Sequence, residues 1–141
     1  MSEENVEAFK RGLQAYNRRD IDGLLEELDP DVEWHPALAV LLGGKQTVFR
    51  GHRGVRESIQ EEDGALAVYQ VEISEIRDLG NRTLAIGRAR VRGKGSGVSI
   101  EPSFCVLAES KGTKGKAATR ATRLRTYLDP KEALGAAGLE E

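Results

Sequence analysis

The sequence predicts an α+β domain, helices first and sheet second, on three observations. Apolar residues recur at helical spacing near the N-terminus, the apolar period changes to two after Gly64, and glycine-rich separators divide the second half of the chain. Val6, Phe9, Leu13 and Tyr16, spaced 3-4-3, predict a first helix; Ser2 can cap it, and Glu3 and Glu4 suit the positive end of its dipole. Asp20 predicts the cap of a second helix with the stripe Ile21, Leu24, Leu25 and Leu28, and Pro30 is expected to stop it. A strand carrying Val32 and Trp34 comes next, then a short one around Val48-Phe49. A third helix is expected after Gly51-His52-Arg53-Gly54, with Val55 and Ile59 inward and its end near Gly64. Four long strands then read as Val68–Leu79, Arg82–Arg92, Val98–Glu109 and Lys116–Leu128. Gly80-Asn81, Gly93-Lys94-Gly95-Ser96-Gly97 and Lys111-Gly112-Thr113-Lys114-Gly115 separate them, since glycine and asparagine accept positive φ. Asp129 as cap, Pro130 in the first turn and Glu132 three residues after the cap open a last short helix, which Gly138 closes.

A chain of 141 residues is expected to form one domain, 1–141, with no repeat or linker. With a net charge of −2, no global field recruits nucleic acid or an anionic membrane, although the second half is modestly basic. The arginines Arg88, Arg90 and Arg92, and Arg120, Arg123 and Arg125, lack the interleaved aromatics of a base-stacking platform, so no nucleic-acid partner is expected. The single cysteine, Cys105, allows no internal disulfide and no structural zinc site. The opening residues lack the basic-then-apolar order of a signal peptide and no apolar run reaches membrane-spanning length, so the expectation is a cytoplasmic protein with no membrane partner.

Four anchors occur in order: Ala15-Tyr16-Asn17 with Asp20-Ile21-Asp22-Gly23-Leu24-Leu25; Asp29-Pro30-Asp31-Val32-Glu33-Trp34-His35-Pro36; Arg50-Gly51-His52-Arg53-Gly54-Val55; and Arg125-Thr126-Tyr127-Leu128-Asp129. Together they resemble the SnoaL-like polyketide cyclase family of the nuclear transport factor 2-like superfamily. The resemblance implies a cone-shaped barrel, in which N-terminal helices pack against a strongly curved mixed, mainly antiparallel sheet. It also implies a pocket at the open end of the cone and a homodimer formed through the sheet. The superfamily contains isomerases, dehydratases, epoxide hydrolases, cyclases and binding proteins without chemistry, so the fold does not name a reaction. The catalytic Tyr of the ketosteroid isomerases would fall at Gly12, their Asp base at or beside His35, and their later acid near Phe104 or Cys105. Close ketosteroid isomerase chemistry is therefore not expected.

His35 is the candidate base, because imidazole titrates near neutral pH. Strand alternation sets a second reading beside it: Val32 and Trp34 share one face, so His35 shares the other with Glu33 unless a bulge at Pro36 turns it. Trp34 is read as a pocket wall or as core. Tyr16 is read as a hydrogen-bond donor to a ligand carbonyl or as a packed ring. Phe104, Arg123 and Tyr127 complete the candidate binding set, with Arg123 able to hold an anionic group. His52 reads as a helix-end or loop residue. The two histidines have no clustered carboxylates, and Gly93–Gly97 lies between strands rather than before a helix, so neither a metal nor a phosphate loop is expected. Val98, Ile100, Phe104 and Val106 are expected on one inward face, and Pro102 to interrupt pairing. Leu84, Ile86 or Leu124 is expected on the solvent face of the sheet, where a partner copy would cover it.

The function expected is binding of a small apolar or flat molecule in an apolar pocket. Cofactor-free isomerase, cyclase or hydro-lyase activity by general-base catalysis is one form of it, and a non-catalytic binding or dimerisation module is the alternative. No cofactor is expected.

Overall fold

In the computed structural model, which describes residues 3–139, helix α1 (Glu3–Arg18) lies across a seven-stranded sheet. After it come α2 (Ile21–Glu26), β1 (Leu28–His35), α3 (Leu38–Leu41), β2 (Phe49–Arg50) and α4 (Gly51–Ala65). The second half runs β3 (Leu66–Asp78), β4 (Arg82–Gly93), β5 (Ser99–Ile100), β6 (Ser103–Ser110), α5 (Lys116–Thr119), β7 (Ala121–Tyr127) and α6 (Pro130–Ala136). The sheet order is β2-β1-β7-β6-β4-β3, with β5 on β4; β1 and β7 are parallel and all other pairs antiparallel. The α+β class and the mixed, mainly antiparallel sheet are as the sequence predicts.

Polar side chains fix the chain path where the backbone changes direction. Asp20 caps α2 by accepting from the Gly23 amide, and Asp129 caps α6 by accepting from the Lys131 amide. The Asn17 amide docks on β3, donating to the Val71 carbonyl at 2.8 Å and accepting from the Val71 N–H at 3.0 Å. Arg19, at φ 58°, makes the turn from α1 into α2 in the left-handed region that costs a non-glycine residue about 1 kcal/mol. The Ser2 cap lies outside the described residues.

Several local expectations are corrected. Helix α2 ends at Glu26, four residues before Pro30, which sits inside β1 where the register with β7 shifts between Leu28 and Glu33. A residue without an N–H fits that stretch because it has no ladder bond to lose. Lys116–Thr119 is a helical turn, not strand: Ala117 and Ala118 favour helix, and the Thr119 N–H closes the turn on the Gly115 carbonyl. Val98 and Ile100 are exposed rather than inward, because the chain breaks at Glu101-Pro102 and β6 begins afresh at Ser103. The interruption expected at Pro102 is present.

The outer face of the sheet also differs from expectation. Leu84 is fully buried with Cys105 and Leu107 in a second small core beneath Ala133 of α6 and Ala137, which caps that helix. Ile86 packs at its edge and Leu124 packs in the main core on the opposite face. The apolar outer surface on which a homodimer is expected is thus covered by the protein's own last helix.

Strand β3 carries an extra residue between Ile73 and Glu75, opposite Gly87 of β4. The backbones approach so closely there that a Cβ on Gly87 would collide with the Glu72 carbonyl. Gly87→Ala should therefore destabilise the fold by about 2 kcal/mol or more, read as a fall in the urea midpoint at unchanged slope. A midpoint equal to wild type would contradict the close approach.

Candidate functional site

Between α1 and the sheet lies a cavity of about 80 Å³, room for about two or three water molecules. Its walls are mostly apolar: Ala8, Phe9 and Leu13 from α1 face Leu28, Val71, Val106 and Leu124. One end is aromatic and carries a carboxyl group. There Tyr16, Trp34, Tyr69 and Phe104 line the wall together with Glu62, which comes from α4.

Contacts at this end are specific. The Tyr16 hydroxyl donates to Glu62 Oε1 at 2.7 Å, and the Trp34 indole donates to Ser58 Oγ at 3.1 Å. Tyr69 meets Tyr16 and Phe104 edge-on, with centroids 6.0 Å and 6.1 Å away. The Arg19 guanidinium lies 4.8 Å from the centre of the Tyr16 ring and pairs with Glu62 Oε1 at 3.5 Å and Asp63 Oδ1 at 3.2 Å.

Glu62 is 1% exposed. Burial raises its carboxyl to about 7, against the lowering effects of the Tyr16 hydroxyl and of Arg19. Burial also raises the Tyr16 and Tyr69 phenols, so both stay protonated hydrogen-bond donors at neutral pH. A protonatable carboxyl flanked by two neutral phenols in an apolar site can move a proton and stabilise an oxyanion without a cofactor. Among the described residues no group of His, Cys, Asp and Glu has the arrangement of a metal site.

Of the residues singled out from sequence, Tyr16, Trp34 and Phe104 line this cavity; His35, Arg123 and Tyr127 do not. His35 alternates with Trp34 on β1 and shares the other face with Glu33, whose Oε1 lies 3.3 Å from the ring. No bulge at Pro36 reverses it, so the assignment of His35 as a base in the pocket is corrected. Arg123 likewise alternates with Leu124 and spends its guanidinium on Glu109, at 2.7 Å and 3.1 Å, rather than on a ligand in the cavity. Tyr127 packs in the small core under α6. His52 Nε2 bonds the Leu28 carbonyl at 3.0 Å and holds α4 to β1.

Glu62 and Tyr69 are the site residues that the sequence does not single out. Glu62 continues the buried α4 stripe Val55, Ser58 and Ile59, and that position on the stripe is its only sequence signal; the acidic run Glu61-Glu62-Asp63 conceals it as a solvated face.

A profile of the SnoaL-like domain matches residues 9–126. This chain belongs to the SnoaL-like family. Solved structures agree with the fold of this SnoaL-like domain. An NTF2-like protein of unknown function from Burkholderia pseudomallei superposes with TM-score 0.75 at 25% identity, covering 93% of this chain and 95% of the other. TerC, co-crystallised with polyporic acid, superposes with TM-score 0.73 at 26% identity over 96% of both chains. A protein of ketosteroid isomerase-like fold from Catenulispora acidiphila gives TM-score 0.71 at 14% identity, over 94% of this chain and 93% of the other. No curated protein matches the sequence. No helix among the described residues is long and apolar enough to cross a membrane.

A carboxyl raised on folding makes the folded state bind more protons than the unfolded chain, so its contribution to stability is full below pH 4.5 and is lost as pH rises through about 7. The stability of wild type relative to Glu62→Gln should thus fall between pH 5 and pH 8, by on the order of 3 kcal/mol. Denaturant unfolding of both proteins across that range measures it. A constant difference would mean that Glu62 is ionised in the fold throughout.

Proposed function

We propose that this SnoaL-like domain binds a small, largely apolar organic molecule in the cavity beneath α1 and catalyses a cofactor-free proton transfer on it, with Glu62 as the base. One observation carries the reading: the buried Glu62 carboxyl, raised to about 7, faces the cavity with the Tyr16 and Tyr69 rings beside it. In a carbonyl compound with an acidic C–H, Glu62 takes the proton and a neutral phenol donates to the developing enolate oxygen. Returning the proton to another carbon completes an isomerisation, while attack of the enolate carbon on a second carbonyl of the same molecule, whose oxygen takes the proton back from Glu62, gives a ring. Neither outcome needs an added oxidant or metal. TerC, co-crystallised with polyporic acid and alike over nearly its whole length, supports a small organic ligand.

A non-catalytic binding module is the second reading, and one observation favours it. Glu62 Oε1 already receives the Tyr16 hydroxyl and lies near Arg19, so the cluster satisfies itself without a substrate. Self-association belongs with either reading. It rests on the family resemblance and on the exposed Leu42, Val48, Val98 and Ile100, and sedimentation at twice 15.4 kDa would support it, whereas a 15.4 kDa species would remove it.

Saturable quenching of Trp34 fluorescence identifies ligands, and turnover of those with an acidic C–H tests the chemistry. Glu62→Gln should reduce turnover by about 10²–10⁴-fold and remove the rise in rate through pH 7, while ligand affinity changes little. Imidazoles titrate in the same range, so His35→Gln is the control and should keep both the rate and its pH profile. Loss of the rate in His35→Gln with retention in Glu62→Gln would overturn the assignment. Binding without turnover in wild type would favour the non-catalytic module.

A further inference from the structure

We infer that Arg19 is a positioning residue for the Glu62 base: its guanidinium, behind the cavity wall, anchors one oxygen of the carboxyl beside the Tyr16 ring and leaves the other to take the proton. This rests on the reading that Glu62 is the base, and it adds what holds that base in place.

The backbone supplies the first observation. At the end of α1 the Asp20 N–H bonds the Ala15 carbonyl at 2.8 Å and the Arg19 N–H bonds the Tyr16 carbonyl at 3.1 Å. This pair of bonds closes a helix with one residue in the left-handed conformation, and glycine is the usual occupant. Here the occupant is Arg19, at φ 58°, the only non-glycine residue with positive φ among the described residues. A large side chain kept at a strained position points to a role that glycine cannot fill.

The side chain supplies the second. Arg19 Nη2 lies 3.5 Å from Glu62 Oε1 and Nε lies 3.2 Å from Asp63 Oδ1, so one edge of the planar fork spans two consecutive carboxyls of α4. The same guanidinium stands 4.8 Å from the centre of the Tyr16 ring and 5.8 Å from that of Tyr69. The Tyr16 hydroxyl also donates to Oε1. Both anchors therefore fall on one oxygen, and among the described residues no hydrogen bond reaches Oε2, the state a proton acceptor requires. A water molecule can bond to Oε1 but carries no charge, so it cannot replace the guanidinium.

The groups facing Glu62 are Tyr16 from α1, Arg19 from the turn after it, Asp63 from α4 and Tyr69 from β3. Burial raises the Glu62 carboxyl, Tyr16 and Arg19 lower it, and Asp63 raises it. Removing the one cation shifts this balance toward the neutral acid, which cannot act as a base.

A ¹³C titration of the Glu62 carboxyl in the ligand-free protein tests the assignment without a substrate. Against a wild-type midpoint of about 7, Arg19→Gln should raise the midpoint by about one pH unit or more. The ionised fraction at pH 7 then falls from about half to about a tenth. Arg19→Lys, which restores the charge without the fork, should lie between the two. Arg19→Gly removes the guanidinium and relaxes the turn; it should unfold at a urea midpoint no lower than that of Arg19→Gln and show the same raised titration. A midpoint unchanged in Arg19→Gln and Arg19→Gly overturns the role of Arg19 and leaves Glu62 as the base. Arg19→Lys no closer to wild type than Arg19→Gln overturns it too, because lost packing would then explain the change. A wild-type midpoint near 4.5 overturns the Glu62 reading itself, and this inference with it.

Discussion

The hydrogen bond from Tyr16 to Glu62 joins α1 to α4 across 46 residues of sequence, and the arrangement of the cavity depends on it. One turn earlier on α4, Ser58 accepts the Trp34 indole of β1. A single helix face thereby holds the two aromatic residues that close one end of the cavity, one from α1 and one from the sheet. Both bonds are buried, and losing either acceptor would leave a buried donor without its protein partner. The same burial that makes the Tyr16–Glu62 bond valuable disfavours the carboxylate and moves its protonation toward neutral pH. A structural tie and a titratable group are here one side chain.

Strand parity determines which side chains reach that site. On β1 it sends Val32 and Trp34 to the helix-covered face and Glu33 and His35 to the other; on β7 it sends Leu124 and Thr126 inward and Arg123 and Arg125 outward. The outward set is organised in its own right. Glu109 accepts from Arg123 and Arg125, and Glu33 lies near Arg50 and His35. These contacts join β6 to β7 and β1 to β2 on the outer face, and Ala133 of α6 with Ala137 just after it packs over Cys105 and Leu107 of β6.

Much of the fold is legible in the sequence where a local rule and the tertiary context agree. The stripe Phe9, Leu13 and Tyr16, the caps Asp20 and Asp129, and the glycines Gly80 and Gly138 at positive φ place elements correctly because each satisfies a backbone requirement within a few residues. The alternation that separates Trp34 from His35 is equally legible, and it decides against the histidine. Less legible are features set by distant partners. Lys116–Thr119 extends a strand pattern, yet the Gly115 amide is held by Glu4 from the far end of the chain. Leu84 reads as solvent-facing until α6 folds back over it. Glu62 looks like one acid in an acidic run, and only its position under Tyr16 and beside Arg19 distinguishes it from Glu61.

The central claim is that Glu62 is a buried carboxyl which changes charge near neutral pH while facing an apolar cavity. The most direct measurement is a titration of its carboxyl carbon by ¹³C NMR, with Glu62→Gln assigning the resonance and a cavity ligand added at saturation. The account predicts a midpoint of about 7 in the free protein and a resonance that shifts when the ligand binds. A midpoint near 4.5, or a resonance indifferent to every ligand that quenches Trp34, would contradict it.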